Sequence, residues 1–227
     1  MNNQENQITI FYTKNLSNDM IEKMYEMYAK TYTDAGQELW FKNAEELMRR
    51  YPCFLTLNNR YEKAYIMYQF KKRFNKISLV CHDSTPEGKK LVIDLLVKLL
   101  SIPGYILEAS SAVSWVLRKR GVHVINDKQY IENALDISPN NKSDIINMNP
   151  NFTMNDKKQQ AYTRIFTDST GKQFTSEDTL FGLEGCTFNT NSCNNNKSCN
   201  ISNKCMRKCI LVDGGKRKTR RKNKKQR

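Results

Sequence analysis

This 227-residue chain has no long apolar run: the longest, LVIDLLVKLL (91–100), is broken by Asp94 and Lys98. It is too short for a bilayer span, which takes about 20 apolar residues. The start, MNNQENQITIF, has no apolar stretch behind basic residues, so no secretory signal is expected. An intracellular protein, cytoplasmic or nuclear, with reduced cysteines is therefore expected. Hydrophobic residues make up only 39%, low for a wholly globular chain, so part of it is expected to lack a core. Zinc spacing is also missing. Cys186, Cys193, Cys199, Cys205 and Cys209 contain no C-x2-C pair and have no histidine nearby, whereas structural zinc sites use tighter pairs. A reduced linker is expected there, no metal is assigned, and a zinc-containing nucleic-acid binder is the outlying alternative.

What is present is positive charge at one end. The segment KRKTRRKNKKQR (216–227) holds nine Lys or Arg and no acid, out of a formal net charge of +14, which leaves +5 for the other 215 residues. Lys216, Arg217, Lys218, Arg220, Arg221, Lys222, Lys224 and Lys225 repel one another and suit a polyanion partner or an import receptor. The segment resembles short basic tails on proteins of large nucleocytoplasmic DNA viruses, which implies a virion component as a further location. Residues 189–203 contain seven Asn, and disorder is expected from about 184 to the end.

The chain length fits one domain with tails. ITIFYT (8–13) reads as a strand, and Ser17 or Asn18 can cap a helix with Ile21, Met24, Tyr25, Tyr28 and Tyr32 at helical spacing, ending near Gly36. A second helix is expected from Asn43, with Glu46 in a capping-box arrangement, to Pro52. CFLTL (53–57) and EKAYIMYQFK (62–71) form a hairpin, followed by the strand KISLVCH (76–82). Thr85 can cap and Pro86 can start a helix ending at Ile102-Pro103-Gly104. YILEAS (105–110) is the next strand, SAVSWVLRKRG a helix stopped by Gly121, and HVIND (123–127) and KQYIENAL (128–135) a last strand and helix. The helix starting at Pro86 is expected to be a crossover between two parallel strands. Residues 136–183 form an extension, with a hairpin over 160–182 docked on the domain.

Strand, two helices, three antiparallel strands, crossover helix, strand, helix, strand is the element order of the GNAT N-acetyltransferases, which residues 8–135 resemble. The likeness is best at LEASSAVSWVLRKRGVHVI (107–125), and PEGKKLV (86–92) resembles the family's pyrophosphate loop. It implies an α/β fold, a mixed twisted sheet flanked by helices, with acetyl-CoA as cofactor and its pantetheine arm between strands 76–82 and 105–110. This chain has one glycine, Gly88, where the family loop has two. It has Leu117 where the family often has an acid-catalyst tyrosine, and Ser110 or Ser111 where an asparagine is common.

The turn Ser84, Thr85, Gly88, Lys89 and Lys90 offers backbone N–H groups, a positive helix end and two cations for a diphosphate, although an ordinary helix start reads the same way. Acetyl transfer to an amine needs a base, for which Glu108 and His82 at strand ends are the candidates, with structural roles as the alternative. Cys81, facing away from His82, is expected in the core. Trp40 and Phe41, in the linker that shapes the acceptor side in the family, floor an amine pocket or simply pack. Two functions stay open: an acyl-CoA-dependent N-acyltransferase, or an inert GNAT-like module held to nucleic acid or virion components by the basic segment.

Overall fold

The computed structural model describes residues 7–71, 74–138, 143–167 and 170–183. The expected disorder beyond 184, the five cysteines there and the basic segment lie outside those residues. The elements in chain order are β1 (Ile8–Tyr12), α1 (Asn18–Asp34), α2 (Ala44–Arg50), β2 (Cys53–Leu57), β3 (Ala64–Lys71) and β4 (Phe74–His82). They continue with α3 (Pro86–Leu100), β5 (Tyr105–Ala109), α4 (Ser111–Lys119), β6 (Val124–Ile125) and α5 (Lys128–Ala134). The last are β7 (Asp144–Met148), β8 (Tyr162–Thr167) and β9 (Gln173–Gly182). No described helix is long and apolar enough to cross a membrane.

Local chemistry sets these boundaries. Ser17 Oγ accepts from Met20 N at 3.3 Å and Asn43 Oδ1 from Glu46 N at 2.9 Å, each satisfying a donor that its helix leaves free. Glu46 reaches back to Lys42 N, one residue earlier than in a capping box. The β2–β3 turn uses Asn58 and Asn59 at φ 51° and 63°, a region asparagine tolerates. Thr85 caps α3 by accepting from Gly88 N at 3.1 Å.

The mixed sheet runs β1-β2-β3-β4-β5-β9-β8-β7, with β6 also on β9. Along β3, side chains alternate between two cores. Ala64, Ile66 and Tyr68 join α3 through Val92, Leu95, Leu96 and Leu99, and Tyr65 and Met67 join α1 and α2 through Met24, Tyr28 and Leu47. Burying each of the Val, Leu, Ile and Met side chains among them contributes about 1.5–3 kcal/mol.

The 160–182 hairpin goes deeper than docking. β9 is inserted between β5 and β8, with Leu107 opposite Phe181 and Tyr162 opposite Asp178. Its last five residues are all buried, the pattern of a strand covered on both faces. At its end Gly182 has φ 147°, and a Cβ there would stand 2.7 Å from Tyr105 O, so only glycine allows this approach. HVIND contributes only Val124 and Ile125, which pair with Phe181 and Leu180.

Two irregularities shape the middle of the sheet. Ser78 is a bulge, because Met67 faces Leu79 while Tyr68 faces Ile77. β4 and β5 are parallel and share two paired positions, Asn75 with Tyr105 and Lys76 with Ile106. Beyond them no paired positions join the two strands.

Candidate functional site

The C-terminal end of β4, the start of α3 and the second half of α1 meet in one place. Asp83 N donates to Lys63 O at 2.9 Å, toward β3. N–H and C=O directions alternate along a strand, so Val80 and His82 face the opposite edge, toward β5. That edge is occupied from α1. Thr31 Oγ1 donates to His82 O at 3.0 Å and accepts from His82 N at 3.2 Å. The Tyr32 hydroxyl hydrogen-bonds the Val80 backbone, and burial drives its pKa well up. The stretch of β4 that lacks β5 is thus partnered by α1 side chains.

The α3 start is filled in the same way. Asp83 Oδ1 accepts from Thr85 N at 3.0 Å and Thr85 Oγ1 at 2.5 Å, while Oδ2 bonds Lys63 Nζ at 2.8 Å. Burial pushes this carboxyl up, but Lys63 and Thr85 outweigh it and hold the pKa at about 2. Lys89 N donates to Thr85 O, and Ser84 N donates to His82 Nδ1 at 3.0 Å. Ser84, at φ 66°, sends its hydroxyl to Asp34 at 3.0 Å. Gly88 is buried, and a Cβ on it would lie 2.2 Å from Asp83 Oδ1 and 2.7 Å from Lys63 O. Among the diphosphate residues expected from sequence, Ser84, Thr85, Gly88 and Lys89 have their N–H groups on protein acceptors. A diphosphate seated here would also meet the Asp83 carboxylate. The side chains of Lys89 and Lys90 are exposed.

Of the two acid–base candidates, Glu108 lies away from this place, in a charged cluster over β4, β5 and β8. Its carboxylate accepts from Lys76 Nζ at 2.8 Å, Tyr162 OH at 3.1 Å and Arg164 Nη1 at 3.2 and 3.3 Å. Arg164 also holds Asp144 through 2.9 and 2.7 Å bonds. Burial raises the Glu108 pKa, but Lys76 and Arg164 outweigh it and leave it below the ordinary carboxylate value. A carboxylate so ionised and saturated is a poor base for an amine proton. Burial beside Glu108 raises Asp178 instead. The sequence offered no signal for this cluster, since Lys76, Glu108, Asp144, Tyr162 and Arg164 are distant in the chain and meet only because β9 carries β8 alongside.

His82 is half-buried, and burial, followed by the charge of Lys89, lowers its pKa. Its Nδ1 accepts from Ser84, so the neutral ring carries its proton on Nε2 and that nitrogen is no acceptor. Cys81 is buried, which pushes its thiol up to about 12. The linker aromatics divide: Phe41 packs against Tyr28 and Tyr51, while Trp40 is 65% exposed. The Tyr28 hydroxyl accepts from Trp40 N and Phe41 N at 2.8 and 3.2 Å, pinning the linker backbone. No group of His, Cys, Asp or Glu among the described residues has the arrangement of a metal site. No family model, curated protein or solved structure matches this chain.

Proposed function

We propose that the chain is a catalytically inert α/β module with a GNAT-like element order, held to nucleic acid or another polyanion by residues 216–227. One observation carries the inert reading. The two places an acyl-CoA would need, the β4 edge facing β5 and the start of α3, are taken by Thr31, Tyr32 and Asp83. Supporting it, Glu108 is ion-paired on two sides and His82 presents no free acceptor nitrogen. The polyanion half rests on nine cations without an acid in 216–227.

A second reading, an acyl-CoA-dependent N-acyltransferase, has one observation in its favour: β4 and β5 share only two paired positions before they part. Two assays on the full chain test the proposal. Coenzyme A thiol release from acetyl-CoA, with polyamine or lysine peptide as acceptor, should equal the protein-free rate. Turnover above that rate would overturn the inert reading. DNA retention at low salt should collapse when the nine cations of 216–227 are replaced by glutamine. Unchanged retention would remove the tethering role.

A further inference from the structure

We infer that the outer face of α3 and α4 is a second nucleic-acid contact, taking backbone phosphates without reading bases. The inference rests on the reading that the chain binds polyanions through 216–227 and adds a surface on the folded body. Charge is segregated across the sheet. α1 and α2 carry six acids and four cations, whereas α3 and α4, with the cap residue Arg120, carry two acids and five cations besides Arg118, which is buried on the carbonyls of Thr153, Asp156 and Gln159.

Both acids on the basic face are already neutralised. Glu87 takes Arg60 at 2.7 Å, and Asp94 takes Arg120. Lys89, Lys90 and Lys119 are exposed and make no ion pair among the described residues. Lys119 rests on the Trp115 ring at 4.5 Å, which fixes its position. Lys90, Asp94 and Lys98 recur every fourth residue along α3, about 6 Å per step. Arg120 on Asp94 makes the middle position a neutral pair, so that acid does not offset the lysines on this face. Lysines exposed along a helix face match a ligand whose charges repeat along a line.

An anionic membrane is the other ligand with such chemistry, but it also calls for bulky apolar anchors. Here Trp115 is half-buried, and the exposed apolar side chains are Ala112, Val113 and Val116. That favours nucleic acid.

The test is anisotropy of a labelled DNA duplex of about 20 base pairs, titrated with salt against the full-length chain. Each phosphate contact contributes about 0.9 to the slope of log K against log salt, so K89Q/K90Q/K119Q should lower it by about 2.7. K14Q/K30Q/K42Q removes the same charge from around α1 and should leave the slope unchanged. If both triple variants weaken binding equally, net charge is responsible and the inference fails. It also fails if K89Q/K90Q/K119Q binds like the parent while neutralising 216–227 abolishes binding. A parent-like slope on neutralising 216–227 sinks the tethering reading alone, and loss in the lysine triple variant then still supports the face. Stronger binding to phosphatidylserine vesicles than to DNA, lost in the same triple variant, overturns the choice of nucleic acid. Should the triple variant unfold, the single lysine variants give the same reading at about 0.9 each.

Discussion

Replacing Gly88 by alanine asks whether the space before α3 is filled. Alanine is the better helix former, and in an open helix start the change would stabilise by up to about 1 kcal/mol. In this fold the new methyl would lie 2.2 Å from Asp83 Oδ1 and 2.7 Å from Lys63 O. The carboxylate can turn aside only by leaving Thr85 N, Thr85 Oγ1 or Lys63 Nζ. Lys63 O is backbone and itself accepts from Asp83 N at 2.9 Å, so it cannot turn. Overpacking costs about 1–3 kcal/mol and a lost charge-assisted hydrogen bond about 1.5–3. Set against the helix-propensity gain, Gly88→Ala should destabilise by about 1.5–5 kcal/mol in urea unfolding. In an Asp83→Ala background the side-chain contact is gone and only the contact with Lys63 O remains. The same substitution should then cost at least about 1 kcal/mol less, the usual size of coupling between touching residues. A Gly88→Ala chain as stable as the parent would refute the reasoning, because it would mean the helix start stands open to a ligand.

Three further outcomes follow from the same geometry. Thr31→Val keeps the shape but removes the hydroxyl from His82 N and O, and should cost about 1–3 kcal/mol in chemical denaturation; no change would mean that water serves that strand edge. Glu108→Ala leaves Lys76 and Arg164 without their shared carboxylate and should cost about 3–5 kcal/mol, a loss that breaking a surface pair would not produce. Asp83 has a folded pKa of about 2 against an ordinary 3.8, so its contribution is complete above pH 4 and fades as pH falls toward 2. Asp83→Asn should flatten that acid limb of the stability curve, and a limb identical to the parent's would contradict the assignment.

Much of the fold was legible because its signals are local. Ser17, Asn43, Thr85 and Pro86 mark helix starts through their own side chains. The fate of β9 was not legible. TLFG is apolar enough for a buried strand, but its insertion between β5 and β8 depends on pairing with β5 across 70 to 76 residues of chain. The site was legible in position rather than in chemistry. PEGKK does open a helix, but whether the Thr85 N–H just before it faces solvent or the chain's own Asp83 depends on where Lys63 of the preceding hairpin lies. Likewise Thr31 and Tyr32 read as ordinary helix residues, and only the parting of β4 from β5 gives them a role.

Calorimetry of the full chain titrated with acetyl-CoA tests the occupied cleft most directly. With Thr31 and Tyr32 on the β4 edge and Asp83 before α3, no saturable heat is expected up to millimolar ligand. Saturable, stoichiometric binding would contradict it, above all if Lys89→Gln and Lys90→Gln weakened that binding.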